Sequence, residues 1–325
     1  MQGHIDTAGE RVGVACALPW VSDLIAEGAA GELRDGVPEN VSVSVTVESE
    51  RRPFAVDGWE RLTRGAWTRG REVVLENACT AGFDLRLRCT PDRADLTYRW
   101  RPPPRDRAAA RVLRSRFHLL ARAVLTQFPA LWWAGTKGRA PLHASVCGAE
   151  HATPLLTAAS GIGRSTVTLR EVEAGGVATG DNIGVGDGVM LWGLVEPIRV
   201  KGGNGRRMPH GRTETVIPDR AAALRPDSVV VLRRADRVEP GLSPCDPEAA
   251  ARSLVTSTYM AGELRRFWAF AATLAAGTAA GPAHPPVREV AWAFAERLPC
   301  FVLNLGPIAA ARVSEQLRMV EEVEV

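Results

Sequence analysis

Apolar and polar residues alternate from Val41 to Glu48 ("VSVSVTVE"), and a period of two predicts a half-buried strand. "EVVLENA", "GFDLRLRCT" and "ADLTYRW" follow, separated by turn-forming residues such as Pro91 and Asp92. Together they predict a small antiparallel sheet closing near Trp100. Residues 1–37 are mixed in pattern and assign no element. The run Pro102 to Pro104 makes a stiff break after the sheet.

Beyond that break the period changes. Val112, Leu113, Phe117, Leu120, Val124 and Phe128 recur at spacings of three and four, which predicts a helix over residues 106–128. Two short strands follow, "PLHASVCG" and "TPLLTA", then a helix from residue 165 to about 173. The core "NIGV-GDG-VMLWGL" reads as a hairpin, with Asp187 in its turn. "DSVVVLRR" is a strand, residues 247–280 are mostly helical with Ser243 or Asp246 as the cap, and "CFVLNLG" is a late strand. Interleaved strands and helices predict an α/β domain over residues 105–325, preceded by an N-terminal α+β domain with an antiparallel sheet over residues 1–104.

Composition narrows the classes. With 46% hydrophobic and 24% charged residues in 325, the chain is globular, and a formal charge of +3 is too small to argue for nucleic acid. The basic residues from Arg99 to Arg116 read as a solvated helix or linker. Lys137 and Lys201 are the only lysines, so arginine stands wherever a cation is needed. The six cysteines show no paired metal-ligand spacing. No apolar run approaches the roughly 20 residues that span a bilayer. With no signal peptide at the start, the expectation is a cytoplasmic protein with reduced thiols and no membrane partner.

The chemistry concentrates in "AASGIGRST", residues 158–166. A strand, a glycine-bearing bend and a helix form the context of a phosphate-binding loop, whose amides and helix N-terminus face an anion. The usual pattern is glycine, four variable positions, then Gly-Lys-Ser/Thr. Here Ala158 replaces the first glycine and Arg164 the lysine, while Ser160, Gly161, Ile162, Gly163, Ser165 and Thr166 keep the rest. Two readings stand, a phosphate loop and a plain glycine bend. Ser165 or Thr166 would hold magnesium, and Arg164 would neutralise phosphate. Asp181, between glycine-rich segments, is a candidate for metal contact and acceptor orientation or a local turn residue. Glu196 either faces this site or pairs with Arg199. Arg206, Arg207, His210 and Arg212, with Lys201, make residues 201–215 a loop that could clamp phosphates. Tyr259, Glu263, Arg265, Arg266 and Trp268 are candidates to line an acceptor pocket, the alternative being that Glu263 and Arg266, three apart, brace a helix.

The order "HASVCGAEHATPLLTAASGIGRST", then "ATGDN", then "WGLVEPIRV" resembles the HPr kinase and phosphoenolpyruvate-carboxykinase-like group of P-loop kinases. The resemblance runs over roughly residues 110–200, weakly to about 305, and leaves the first 100 uncovered. It implies that fold for the second domain, ATP and magnesium as cofactors, and a homo-oligomer. It aligns Asp181 with one of two paired acids serving as metal contact and base, and Gly180 stands where the other acid belongs. It gives His143 and Ser145 a supporting role beside the nucleotide. The expected activity is phosphoryl transfer from ATP to a hydroxyl of a small-molecule acceptor, such as an amino-acid-like biosynthetic intermediate. The alternatives are a degenerate nucleotide-binding or scaffold protein, a protein-serine kinase, and a kinase using another phosphate donor.

Overall fold

A computed structural model describes residues 1–201, 207–208, 211–235, 240–306 and 312–323. The chain is a mixed α/β protein of several sheets and helices, in two compact units. The first comprises Met1–Lys137, Arg207–Gly211 and Arg266–His284; the second comprises Gly138–Arg206, Arg212–Arg265 and Pro285–Val325. The proline break at 102–104 therefore falls inside the first unit. Among the described residues, no helix is long and apolar enough to cross a membrane.

The first unit is built on β1 (Gln2–Thr7), β2 (Glu10–Cys16), α1 (Pro19–Gly28), β3 (Arg34–Asp35) and β4 (Val43–Glu48). Then come β5 (Glu60–Thr63), β6 (Ala66–Arg69), β7 (Glu72–Leu75), β8 (Phe83–Cys89) and β9 (Ala94–Trp100). They form one sheet in the order β3-β1-β2-β4-β9-β8-β7-β6-β5. This corrects the expected small antiparallel sheet. The alternating segment is the strand β4, with Val43, Val45 and Val47 buried, but β4 runs parallel to both β2 and β9. The cause is connectivity. The chain leaves β2 through α1 and re-enters at β4, a crossover that returns the strand in the same direction.

The expected helix over 106–128 is broken. It divides into α2 (Pro104–Val112), α3 (Arg114–Arg122), a π-turn over Ala123–Gln127 and α4 (Phe128–Thr136). Leu113 leaves helical geometry at φ −104°, ψ 46°. Its neighbours on the predicted apolar face do not pack: Val112 is 81% and Leu113 48% exposed, whereas Val124 and Phe128 are buried. The widened turn frees carbonyls from the helix ladder, and the fully buried Tyr98 hydroxyl donates to Val124 O at 2.7 Å. Helix Phe267–Thr278 completes this unit, with Phe267 and Phe270 against Phe128.

The second unit opens with β10 (Ala140–Leu142), β11 (Ala144–Gly148), β12 (Pro154–Thr157), α5 (Arg164–Glu173) and β13 (Val177–Ala178). β12 pairs in parallel with strand Ser228–Arg234, which pairs in parallel with Cys300–Leu305. β11, β13 and the strand Gly241–Pro244 add antiparallel edges. One apolar cluster holds α5 to this sheet through Val167, Val172, Leu156, Val230 and Leu303. The predicted hairpin is present as β14 (Gly184–Gly186) and β15 (Leu191–Gly193). Asp187 closes its turn, accepting from Val189 N and Met190 N at 2.8 Å each. Strand β16 (Ile198–Lys201) pairs with Arg212–Thr215, so both ends of the expected basic loop are strand. The stretch 247–280 is mostly helical as expected, holding α6 (Pro247–Met260) and the helix Phe267–Thr278, and of the two candidate caps Asp246 is the one used. The bend of residues 158–163 thus lies at the carboxyl end of β12, within a parallel core, where open α/β sheets bind ligands.

Replacing Tyr98 by Phe leaves the Val124 carbonyl buried without its donor. Denaturant unfolding should show a loss of about 1–3 kcal/mol; unchanged stability would refute the assigned bond.

Candidate functional site

The bend after β12 has the backbone of an anion cradle. Gly161 (φ +86°) and Gly163 (φ +124°) occupy the left-handed region, which a side chain would strain. Ala158 keeps a negative φ and packs in the core beside Val167, so an alanine is at home where the usual pattern has glycine. Ser160, Gly161 and Thr166 are exposed, and Ile162, Gly163 and Ser165 half-buried. Gly163 caps α5 with no side-chain hydrogen bond. Among the described residues, the amides of Gly161, Gly163, Arg164, Ser165 and Thr166 have no acceptor. These are the orphan donors of a helix start, joined by those of the bend.

Arg164 does not face this cradle. Its side chain is 5% exposed and turned inward. Nη1 donates to His143 O at 2.5 Å, and Nη2 to Asn182 O at 3.0 Å, with Asn182 Oδ1 at 3.5 Å. Burial lowers its pKa, opposed by Asp181, then Glu196 and Glu263. The arginine fork makes this possible, since a planar guanidinium satisfies two separated acceptors that one ammonium would not span.

A cation beside the bend, Arg234, is one that the sequence pattern did not single out. Arg234 Nη2 lies 3.7 Å from where a Cβ on Gly163 would stand, while Nη1 donates to Gly306 O at 2.9 Å. The signal was visible: "VVVLRR" ends a buried strand in two exposed arginines at the sheet edge that carries the bend.

Behind α5 is a buried ionic network. Asp181, 1% exposed, accepts from Asn182 Nδ2 at 3.2 Å and Arg199 N at 3.3 Å through Oδ2. Its Oδ1 has no partner among the described residues. Glu196 Oε1 accepts from Asn182 N at 3.2 Å, and Oε2 stands 3.6 Å from Arg199 Nη2. Arg199 also binds Glu263 Oε1 at 3.0 Å. Burial works against the Arg199 charge, but Glu196, Glu263, Asp181 and Glu214 together hold its pKa above the ordinary value. Burial pushes Glu196 up to about 7, with Arg199 opposing and Asp181 and Glu263 reinforcing. Burial and then Arg164 drive His143 down to about 3, so its ring is neutral at neutral pH. The His143 amide also donates to Thr258 Oγ1 at 2.9 Å, and the neighbouring Ser145 hydroxyl meets Thr168 Oγ1 at 3.3 Å.

The structure therefore gathers His143, Arg164, Asp181, Glu196 and Glu263 into one network. Tyr259 is 52% exposed on α6. Glu263 pairs with Arg199 rather than Arg266, and Arg266 belongs to the first unit, where it donates to Cys79 O at 2.8 Å. Arg212 is half-buried in the strand opposite Lys201. Arg206 and His210 lie outside the described residues. At Gly180 a Cβ would stand 3.0 Å from Leu194 O, so a second acid is sterically disfavoured there. Among the described residues, no three His, Cys, Asp or Glu side chains are grouped to hold a metal. The six cysteines are free thiols.

A carboxyl group whose native pKa lies above its unfolded value stabilises the fold below the unfolded pKa, and that contribution is lost as pH rises through the native pKa. For Glu196 the window runs from the ordinary carboxylate value of 4.5 to about 7. The stability of Glu196→Gln relative to the natural protein should rise between pH 5 and pH 8, on the order of 1–3 kcal/mol by denaturant unfolding. An equal difference at both pH values would contradict the shift. In comparison with known proteins, no family model and no curated protein matches the chain.

Proposed function

We infer that the chain is a nucleotide-dependent phosphotransferase that binds ATP by its polyphosphate at residues 160–166. The observation supporting this reading is the set of acceptor-free amides around two left-handed glycines, aimed outward at the start of a helix. Such donors lower the energy of a polyanion with no reorganisation, and the helix end adds its partial positive charge. A mixed α/β fold with the bend at the carboxyl end of a parallel strand supports this reading, and Arg234 replaces the missing lysine as the phosphate cation. Asp181 orients the acceptor hydroxyl of a small molecule, since its Oδ1 has no protein partner.

Magnesium needs few protein ligands when it arrives with phosphates. Ser165 Oγ and Asp181 Oδ1 are the groups that fit it here, and it would neutralise phosphate charge. The chain's own residues do the rest. The loop amides bind and orient the polyphosphate, and Arg164 fixes the His143 and Asn182 segments on either side of Asp181. The acceptor oxygen attacks the γ-phosphorus, its proton passes to Asp181, and ADP leaves as the bond from that phosphorus to the bridging oxygen breaks.

One observation favours a second reading, nucleotide binding without transfer. Asp181 is 1% exposed, so an acceptor reaches it only if the acidic network opens. Consumption of ATP on adding hydroxyl-bearing acceptors separates the two, and donor screening tests pyrophosphate.

Calorimetry with a nonhydrolysable ATP analogue and magnesium provides the test. Gly163→Val should abolish binding, and Arg234→Ala should weaken it about tenfold, near 1.4 kcal/mol. Asp181→Asn should keep affinity within about threefold and stop transfer. Equal affinity across all four proteins would place the nucleotide elsewhere, and undiminished transfer by Asp181→Asn would remove its assigned role.

A further inference from the structure

The first unit carries a cavity of about 610 Å³ lined by both arginines and aromatic rings. Trp20 from α1, Trp100 from β9 and Phe117 from α3 form one wall. Trp20 and Trp100 meet edge to face at 5.1 Å, and Trp100 and Phe117 at 5.5 Å. Trp20 remains 37% exposed, which leaves ring surface for a further contact. Arg51, Arg107, Arg111 and Arg114 line the cavity as well, and all four are exposed.

The arginine run is the solvated helix its sequence predicts, with Arg107, Arg111 and Arg114 exposed, and these three also line the cavity. Arg107, Ala110 and Arg111 of α2 and Arg114, Phe117 and His118 of α3 line the cavity on either side of the break at Leu113. Arginines thus stand at the cavity beside aromatic rings, while Val112 and Leu113 are exposed. α2 buries no residue of its own. Arg105 pairs with Asp106. Among the described residues, Arg51, Arg107, Arg111 and Arg114 form no salt bridge with a carboxylate and sit over none of these rings. Several guanidinium groups lining one cavity without a carboxylate partner give it a positive potential, which attracts a ligand bearing negative charge.

We propose that this cavity binds a small organic anion combining a flat ring with a phosphate or paired carboxylates. The ring stacks against Trp20 and Trp100, and the anionic end takes the guanidinium forks of Arg107, Arg111 and Arg114. Guanidinium matches both anions in the bidentate geometry that gives such pairs their strength. The cavity volume is that of a small-molecule site, which favours this occupant over an extended acidic peptide. The assignment is independent of the nucleotide reading, since none of its residues belongs to the bend or the acidic network.

Calorimetric titration with 1-naphthyl phosphate tests it. Inorganic phosphate supplies charge without a ring, 1-naphthol a ring without charge, and hexaglutamate an extended polyanion. One equivalent of naphthyl phosphate should bind at least about tenfold more tightly than any of the three. The double variant Arg111→Ala/Arg114→Ala should weaken it about thirtyfold or more, and the milder Arg107→Gln and Trp20→Leu about three- to tenfold each. In Gly163→Val protein the isotherm should be unchanged, which keeps this site distinct from the loop. No binding of naphthyl phosphate, affinity indifferent to the arginine and tryptophan changes, loss in Gly163→Val, or tighter binding of hexaglutamate would each overturn the proposal.

Discussion

The second unit depends on how one buried cation is neutralised. Arg164 begins α5, yet its guanidinium lies inside and spends its fork on the carbonyls of His143 and Asn182. Desolvating a guanidinium costs several kcal/mol, and only close acceptors and nearby carboxylates offset that cost. Here the acceptors come from the turn between β10 and β11 and from the segment beside Asp181. One side chain therefore fixes three pieces of chain that no local interaction would hold together. Asp181, Glu196 and Glu263 provide the surrounding negative charge, and Arg199 shares it. The unit keeps a dense ionic network dry because each member limits the cost of the others.

This arrangement separates two jobs that a lysine at the same position would combine. The bend presents bare amides to solvent, while the cation of the motif faces the interior. Charge at the mouth of the bend comes from another strand, through Arg234. At Gly180 a Cβ would stand 3.0 Å from Leu194 O, a tight approach. Burial favours the protonated form of Glu196. In the first unit, by contrast, exposed arginines line a cavity together with aromatic rings.

Much of the local structure was legible in the pattern of the chain. The alternation in "VSVSVTVE" marks β4, "TPLLTA" contains β12, and the glycine–aspartate turn marks the β14–β15 hairpin. These are short-range signals, carried by side-chain period and turn chemistry. Partner strands are not, and the parallel pairing of β4 with β2 and β9 depends on residues 1–16, whose pattern assigned no element. The helix of 106–128 kept its period in sequence and lost its continuity at Leu113, because Val112 and Leu113 have nothing to pack against. At the site, the glycines at 161 and 163 were legible because backbone conformation demands them. The direction of the Arg164 side chain was not, since it depends on carbonyls 21 and 18 residues away. Glu263 likewise found Arg199, 64 residues off, instead of a neighbour on its own segment.

Replacing Arg164 by Ala, and measuring unfolding free energy alongside affinity for a nonhydrolysable ATP analogue, addresses the central point most directly. If the guanidinium is an internal strut, stability falls by about 3–5 kcal/mol while the folded protein keeps its affinity within about threefold. Stability within about 1 kcal/mol of the natural protein, joined to a loss of affinity of about tenfold or more, would mean that Arg164 serves the phosphate after all.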